Sequence, residues 1–478
     1  MKNQEYTYSY TQLTNGEEYL QKGTVWLFPR RRRMLVAWFA FFGFFNIYAL
    51  RVNLSVAIIA MTDPVETTLG NGTIAYLPQF NWDSQTKGLI LSSFFYGYML
   101  TQLPGSWLAD KIGGNRIFGV GIGATSLFTL LTPPLARTST SLLVAVRVIE
   151  GLFEGVTYPS IHAVWSRWAP SGERARLASL AFSGSYAGNV VSMPLSSMLA
   201  TYAGWSGIFY VFGVIGLIWT ALWWITIKES PEMDPHITST ELKYIQNTRG
   251  TSTRETSEIG HPWGAMLSSA PVWAIVVAHC SENWGFYTLM TFLPTFMKDV
   301  YKFDMNSTGW LSSIPYLAMA LVLQVAGHSA DVLLTKGTLS RTNIRKVFTC
   351  GAFLSQAVFM TAAANAESAT TCVVFLTVGV GLGGFAWAGF SVNHLDVAPR
   401  HASALMAVSN TFATLPGVAG PALAGAVVAD KTAEQWRIVF MISSAIYVFG
   451  AIVYGIFCSA EKQKWVVDCD NDMNLINS

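Results

Sequence analysis

Four charged residues that lie inside apolar stretches of this sequence could bind an anion and exchange protons. Arg51 falls in the middle of one apolar run. In another, Arg147, Glu150 and Glu154 follow one another at i, i+3 and i+7, which places them on one face of a helix. A guanidinium can hold a carboxylate through two parallel hydrogen bonds, and a buried glutamate can take up a proton. We therefore expect these side chains to face a polar cavity.

Both arginines also have a plainer interpretation. A charge at the centre of a bilayer costs about 2.5–3.5 kcal/mol on insertion scales, so a nearby glutamate could serve only to neutralise it. The Arg51 pair would then fix helix packing, and Arg147 with Glu150 would form a static pair near a membrane surface. His162 continues the stripe of Glu154 and is a further candidate for proton exchange.

The composition predicts a membrane protein. Only 12% of the 478 residues are charged, whereas soluble chains have roughly a quarter, and the mean hydropathy is +0.37. Apolar runs of membrane-spanning length recur along the chain. They predict an all-α membrane protein with twelve helices, at residues 34–61, 88–108, 116–135, 141–165, 176–200, 206–227, 268–296, 309–330, 345–365, 370–392, 402–428 and 436–458.

A polar segment divides the predicted helices into two sets of six. Residues 228–267 contain prolines and many Thr, Ser and charged residues, and are predicted as a cytosolic linker. This linker separates an N-terminal bundle over 34–227 from a C-terminal bundle over 268–458, with cytosolic tails at 1–33 and 459–478. Lys and Arg concentrate in the segments that this arrangement places in the cytosol, as the positive-inside rule requires.

The same orientation has consequences for modification and sorting. Asn71 and Asn306 are N-x-S/T acceptors in the loops after the first and seventh predicted helices, so we expect both to be glycosylated on the non-cytosolic side. Tyr10 and Leu13, in the cytosolic tail, form a Tyr-x-x-hydrophobic motif of the kind that sorting adaptors bind.

Several function classes find no support in the residues. A net charge of +2 is too small to indicate a nucleic-acid partner. The five cysteines form no Cys-x-x-Cys pair, and the sequence contains no Walker motif, Ser-His-Asp set or metal-ligand cluster. We therefore expect no enzyme activity, no metal and no cofactor. The coupling ions would be protons, with Na⁺ or Cl⁻ as alternatives.

The loop after the second predicted helix carries a family signature. Its sequence, GSWLADKIGGNR at 105–116, resembles the loop motif of the major facilitator superfamily, and GHSAD at 327–331 echoes it in the second half. The resemblance implies two six-helix bundles that rock around a central cavity. It also implies a cytosolic gate that contains Gly105, Asp110, Lys111 and Arg116.

Longer stretches resemble the organic-anion and phosphate branch of that superfamily, in particular its sialin-like members. They are ALRVNLSV at 49–56, RVIEGLFEGVTYP at 147–159, WSRWAP at 165–170 and NHLDVAP at 393–399. The resemblance implies substrate binding by Arg51 and proton coupling by Glu150 and Glu154. The vesicular glutamate carriers of this branch have glutamine at the position of Glu150, histidine at that of Leu91 and arginine at that of Glu282. These differences disfavour glutamate as the substrate.

Other polar side chains could complete a cavity for a sugar acid. Tyrosine hydroxyls could donate hydrogen bonds to it, and the candidates are Tyr48, Tyr96 and Tyr287. Asn393 and His394, at the end of the tenth predicted helix, could bind substrate or close a gate. His394 could equally be a structural hydrogen-bond donor. Glu282 is either a further proton site or a side chain that reaches a vestibule.

The expected function is proton-coupled symport of an acidic sugar, or a similar small organic anion, out of a lysosome or endosome. The alternatives are sodium-driven uptake of phosphate or organic anions at the plasma membrane and filling of vesicles with glutamate or aspartate. A non-transporting ligand sensor on a carrier scaffold is the alternative from another class. The expected partners are the organic anion, membrane lipid and sorting adaptors, with no nucleic acid.

Overall fold

Nearly all of the described chain is helical. The computed structural model describes residues 31–68, 74–170, 173–248 and 262–466, apart from individual side chains within them. In this part of the chain, β1 (Pro64–Thr68) and β2 (Ile74–Pro78) pair antiparallel, with Pro64 opposite Pro78. We call the side that carries this hairpin the hairpin side. The opposite side, where the first helix begins and the last helix ends, is the terminal side.

The first half of the chain contributes six spans. Its helices are α1 (Arg32–Thr62), α2 (Ser84–Ile112), α3 (Gly114–Thr138), α4 (Thr140–Gly155), α5 (Thr157–Trp168) and α6 (Arg174–Thr226). α4 and α5 follow one another through Val156 and form one span. α6 contains two spans that meet at Gly204, where a backbone φ of 71° favours glycine.

The second half contributes six more spans after a linker that contains α7 (Ser239–Thr248) and α8 (Trp263–Leu267). Its helices are α9 (Ala270–Tyr301), α10 (Met305–Lys336), α11 (Arg341–Ala364), α12 (Ala369–Ala386), α13 (Val392–Val397), α14 (Ala402–Phe412), α15 (Leu415–Val427) and α16 (Ala433–Phe457). A π-helical turn, Trp387–Ser391, joins α12 to α13 in one span, and α14 and α15 form another.

The described residues thus contain twelve spans in two sets of six, which confirms the predicted fold class. Seven helical segments are long and apolar enough to cross a membrane by length and composition, and one of them is the double span α6. The other four spans are α2, α4 with α5, α9, and α14 with α15. These spans are interrupted or carry more polar side chains, and three of them contribute the site described below.

The start of α10 differs from the prediction. Asp304 Oδ2 accepts a hydrogen bond from the backbone N–H of Ser307 at 3.1 Å and caps the helix. Asn306 therefore lies in the first helical turn and not in the loop in which the sequence predicted it. Its Oδ1 accepts a hydrogen bond from Thr201 Oγ1 at 3.4 Å.

The two bundles meet on the hairpin side. A Cβ built on Gly88 of α2 would lie 2.7 Å from the carbonyl oxygen of Pro421 and 3.1 Å from the Cα of Gly425, both on α15. Glycine at this position therefore allows the two helices to pack closely. Lys298 Nζ and Asp63 Oδ2, 2.9 Å apart, add an ion pair between the bundles on the same side.

Gln102 joins the bundles further along α2. Its Nε2 donates a hydrogen bond to Thr414 Oγ1 at 2.9 Å, and its Oε1 accepts one from Asn410 Nδ2 at 2.6 Å. The nitrogen and the oxygen of the Gln102 amide are thus both hydrogen-bonded to the C-terminal bundle.

The terminal side has a different pattern of contacts. Arg33 pairs with Glu173 at 2.8 Å and with Glu241 of α7 at 2.9 Å, and Arg345 pairs with Asp396 at 2.8 Å. Among the described residues on this side, each ion pair stays within one bundle or joins a bundle to the linker. This distribution is that of a two-bundle protein closed on its hairpin side.

Candidate functional site

Arg51 and Glu154 form a buried ion pair between α1 and α4. Arg51 Nε donates a hydrogen bond to Glu154 Oε1 at 2.9 Å, and Arg51 Nη2 donates to the same oxygen. Arg51 is 5% exposed and Glu154 is fully buried. Three aromatic rings surround the guanidinium, with centroids 4.8 Å (Tyr48), 5.1 Å (Phe94) and 4.7 Å (Tyr98) from Cζ. These rings shield the charge pair from lipid and orient the arginine.

Arg147 and Glu150 form a second buried pair, one turn apart on α4. Arg147 Nη1 donates a hydrogen bond to Glu150 Oε2 at 2.6 Å. The other carboxylate oxygen, Oε1, accepts hydrogen bonds from Thr129 Oγ1 at 3.0 Å and Thr132 Oγ1 at 3.3 Å, both on α3. Both oxygens of Glu150 are therefore satisfied.

A small cavity lies beside both arginines, where the two bundles meet. It is lined by Arg51, Val52, Ser55, Leu91, Phe94, Phe95, Arg147, Met290 and Thr291, the last two from α9 of the C-terminal bundle. Arg51 Nη1 and Arg147 Nε have no hydrogen-bond partner among the described residues, and neither does Glu154 Oε2. Two N–H donors are thus available to an anion, and one carboxylate oxygen is available to a proton.

Glycines set the distance between α2 and α4. A Cβ built on Gly151 would lie 2.8 Å from the backbone nitrogen of Tyr98, and one on Gly97 would clash with the backbone of α4. Because the helices touch here, the rings that α2 carries, Phe94 and Tyr98, lie directly against Arg51.

The predicted tyrosines divide between the cavity and the exposed surface. Tyr48 Oη lies 3.3 Å from Tyr158 Oη, and the Tyr287 ring packs against Phe95 with centroids 4.7 Å apart. Tyr48 and Tyr287 therefore lie beside the cavity. The structure does not bring Tyr96 to the cavity, since its side chain is 36% exposed. A helix turns by about 100° per residue, so Phe95 and Tyr96 point in different directions.

His162 does not contact Glu154. It lies on α5, is exposed, and its described contact is with the ring of Phe182, with centroids 5.6 Å apart. The helix is interrupted at Val156, and the stripe continues into α5 as far as Tyr158, whose Oη lies 3.3 Å from Tyr48 Oη, but does not include His162.

Asn393 and His394 are buried within the C-terminal bundle, away from the Arg51 cavity. His394 Nδ1 lies 2.8 Å from the carbonyl oxygen of Ser391, and Nε2 lies 2.9 Å from Ser409 Oγ. His279 Nδ1 approaches the same hydroxyl at 3.2 Å. His394 thus bridges α13 and α14, as expected of a structural hydrogen-bond donor.

The predicted gate residues lie at and after the end of α2. A Cβ on Gly105 would lie 2.9 Å from the Cα of Val156, so glycine allows α2 to pack on the junction between α4 and α5. Lys111 Nζ lies 4.8 Å from the centre of the Trp107 ring. Asp110 is part of α2, but its side chain is outside the described part of the structure.

The partly buried carboxylate of Glu229 holds the turn between α2 and α3. Gly113 has a φ of 115°, and a Cβ there would lie 2.6 Å from the Glu229 carboxylate. Arg167 Nη1 donates a hydrogen bond to Glu229 Oε1 at 2.6 Å. Burial raises the pKa of the Glu229 carboxyl above its ordinary value, and the positive charges of Arg167 and Arg116 offset only part of this rise.

Three predicted residues, Tyr10, Leu13 and Asn71, fall outside the described residues, so their modification and sorting roles remain predictions. The structure also brings side chains to the site that the sequence pattern did not indicate. They are Ser55, Met290 and Thr291 at the cavity and Thr129 and Thr132 beside Glu150. The two threonines lie at i and i+3 in an apolar helix, a spacing that could have indicated a shared polar face.

Two six-helix bundles with paired charges buried where they meet define a membrane carrier, because intramembrane ionisable groups that face a cavity mark a transport pathway. The chain belongs to the Major Facilitator Superfamily, whose family model matches residues 35–421.

Curated relatives cover most of the chain. Sialin from Ovis aries is 44% identical over 451 residues, which cover 91% of each chain, and sialin from Homo sapiens is 42% identical with the same coverage. Vesicular glutamate transporter 1 from Bos taurus is 42% identical over 91% of this chain and 78% of its own.

Solved structures share the fold at low identity. A bacterial homologue of the human lysosomal transporter Spinster, in an inward-facing and occupied conformation, has a TM-score of 0.69 at 14% identity, covering 88% of this chain and 96% of its own. A D-xylose–proton symporter has a TM-score of 0.63 at 13% identity, covering 90% and 99%.

Proposed function

We propose that this chain is a proton-coupled carrier of small organic anions, and of acidic sugars such as sialic acid in particular. The observation that carries the proposal is the pair of buried arginines at one cavity. Each is neutralised by a glutamate, and each has an N–H without a hydrogen-bond partner among the described residues. An anion that binds there either replaces a glutamate as the partner of its arginine or accepts a hydrogen bond from the N–H that the glutamate leaves unbonded.

Electroneutrality explains why proton and anion would move together. The Arg51–Glu154 pair is neutral, so an anion that enters alone would leave a net negative charge in a buried site. A proton that enters alone would leave Arg51 without its counter-ion. Protonation of Glu154 together with binding of a monoanion to Arg51 keeps the site neutral, and the joint event is therefore favoured over either one alone.

The relatives support the class of substrate more strongly than the particular substrate. Identities of 44% to sialin and 42% to vesicular glutamate transporter 1 differ too little to choose between them. The choice rests on Glu150, Leu91 and Glu282, where this chain departs from the pattern of the vesicular glutamate carriers. We therefore favour an acidic sugar over glutamate, and export from a lysosome or endosome.

The test is uptake of labelled sialic acid into proteoliposomes that contain the purified full-length chain, with pH and sodium gradients imposed separately. Glucuronate, glutamate and phosphate serve as competitors. Saturable uptake driven by the proton gradient alone is the expected result. Uptake that requires sodium, or that prefers phosphate, would identify the sodium-driven alternative, and preference for glutamate would identify the vesicular one. Binding without flux would identify a sensor.

A further inference from the structure

A third buried glutamate lies outside the Arg51 cavity. Glu282, on α9, is 1% exposed and lies inside the C-terminal bundle. The Gln356 amide of α11 and the Trp387 indole of the π-helical turn face its carboxylate. Gln356 Nε2 also donates a hydrogen bond to Tyr447 Oη of α16 at 3.2 Å. Side chains from three other segments thus surround one carboxylate.

Gly383 of α12 provides the room for this cluster. A Cβ built there would lie 2.5 Å from Gln356 Nε2 and 2.9 Å from Glu282 Oε1. The carboxylate and the amide therefore occupy space that any other residue at this position would fill.

Glu282 differs from the glutamates of α4 in having no counter-ion in the part of the chain that the structure describes. Among the described residues, no arginine, lysine or histidine nitrogen lies within ion-pairing distance of it, whereas Glu150 and Glu154 each pair with an arginine. Glu282 Oε2 and Gln356 Oε1 also have no hydrogen-bond partner in the described part of the chain. A proton would remove the buried charge and convert one carboxylate oxygen into a donor.

The neighbouring titratable groups do not supply a positive charge. Those that face Glu282 are Tyr447 on α16 and Tyr186 on α6 of the other bundle. Tyr316 of α10 faces Tyr447, and His279 lies three residues before Glu282 on α9. His279 is packed between Trp387 and Phe390 and approaches Ser409, without an acidic partner. Arg51, on the neighbouring helix α1, is held by Glu154.

We propose that Glu282 is a second proton-binding site of this carrier, loaded in the conformation closed on the hairpin side and emptied when the bundles rearrange. In the step itself a carboxylate takes one proton from water and later returns it to water. An ionised Glu282 needs hydration, which a side chain that is 1% exposed does not have in this conformation. On this proposal the two conformations differ in proton affinity, and the proton biases their equilibrium. The inference rests on the proposed function, because it adds a second coupled proton.

The first test counts the coupled protons. With the membrane potential clamped, steady-state accumulation of labelled sialic acid changes about tenfold per pH unit for each coupled proton. We expect a dependence of about a hundredfold per pH unit for the wild type and about tenfold for Glu282→Gln. Glu434→Gln, the same change on an exposed residue, should match the wild type.

The outcomes separate this inference from the proposed function. A tenfold dependence in the wild type, or an unchanged one in Glu282→Gln, overturns the second site and leaves the proposed function intact. Accumulation of sialic acid that does not depend on the pH gradient overturns the proposed function. Accumulation that a sodium gradient drives in the wild type but not in Glu282→Gln would show that the ligand is Na⁺, which overturns the proton assignment.

A second test does not depend on transport. Difference infrared spectra of the purified chain report protonated carboxyl groups through their C=O stretching band. We expect Glu282→Gln to lose intensity in this band and Glu434→Gln to keep it. Gly383→Ala, which crowds the cluster, should shift the band in the same region. An unchanged band in Glu282→Gln would mean that Glu282 is ionised, and the proposal would fall.

Discussion

The two buried arginines of the N-terminal bundle are held in different ways. Arg147 and Glu150 belong to one helix, and Glu150 also accepts hydrogen bonds from two threonines. Arg51 and Glu154 belong to different helices, and one oxygen of Glu154 has no partner in the described part of the chain. A movement of α1 against α4 would therefore break the second pair and leave the first intact, which makes Glu154 the stronger candidate for proton exchange.

The first prediction concerns Glu154. Glu154→Gln should abolish uptake driven by a proton gradient while binding of sialic acid persists, because a permanently neutral side chain leaves Arg51 free for the anion. Binding should also lose the part of its pH dependence that Glu154 contributes, and keep any part that Glu282 contributes. Equilibrium binding and gradient-driven flux on the same preparation check this result. Wild-type flux in the variant would exclude Glu154 as the coupling residue.

The second prediction concerns the shape of the Arg51 head group. Arg51→Lys keeps the charge but loses the planar pair of donors, and a hydrogen bond to a charged group contributes about 1.5–3 kcal/mol. We expect the affinity for sialic acid to fall by about ten- to a hundredfold. Titration calorimetry measures it, with Arg437→Lys on the exposed surface of α16 as the control. Equal affinities would assign Arg51 to packing alone.

Among the helices, the α2–α4 crossing is the contact that positions the aromatic rings around Arg51. Gly151→Ala would place a methyl group 2.8 Å from the Tyr98 backbone nitrogen, so the helices must move apart. We expect a loss of about 1–3 kcal/mol in the free energy of unfolding, as is typical of overpacking. Gly351→Ala on α11, where nothing lies within 4 Å, should be neutral or stabilising. Thermal unfolding of both variants tests this prediction, and equal stability of Gly151→Ala and the wild type would contradict it.

A latch on the terminal side ties the linker to the N-terminal bundle. It consists of Arg33 at the start of α1, Glu173 before α6, and Glu241 and Tyr244 of α7. Burial would raise the pKa of Glu173, but the hydrogen bond and positive charge of Arg33 outweigh burial and lower it. A lowered carboxyl pKa means that the contribution to stability is present at neutral pH and is lost as the pH falls through the folded-state pKa.

The latch should therefore loosen in acid. Hydrogen–deuterium exchange of α7, corrected for the intrinsic effect of pH, should rise below the ordinary range of glutamate pKa values. In Glu173→Gln, exchange should already be raised at neutral pH and should respond less to acidification. Glu434→Gln is the control. Equal protection of α7 in wild type and Glu173→Gln at neutral pH would rule the latch out.

At the scale of the whole molecule, Gln102 is a side chain that joins the two bundles by hydrogen bonds. Gln102→Leu removes two hydrogen bonds between the bundles, each with a net contribution of about 1 kcal/mol. We expect the equilibrium between the two conformations to shift about thirtyfold away from the one closed on the hairpin side. Spin labels at Lys243→Cys and Lys336→Cys, on the terminal side, should then show a larger share of short distances. Gln463→Leu is the control and should leave the distance distribution as in the wild type. A wild-type distribution in Gln102→Leu would contradict the prediction.

The twelve spans could be predicted from the sequence alone, and so could the division into two halves and the charged stripe of α4. These properties are local or periodic: a span needs about twenty apolar residues, and spacings of three and four residues share a helix face. Arg147 and Glu150 are neighbours on one helix, so their pairing was already implied by the sequence. The family signature at 105–116 also lies within one short stretch.

The partners of the remaining side chains are visible only in the folded protein. Arg51 is about a hundred residues from Glu154, and the two meet because α1 packs beside α4. Tyr96 looked as suitable as Tyr48, but helix rotation leaves it exposed. In the sequence Glu282 is a glutamate within an apolar run, like Glu154. In the bundle it has no counter-ion among the described residues, whereas Glu154 pairs with Arg51. Pairing between distant segments depends on how helices pack, and local spacing carries no information about that packing.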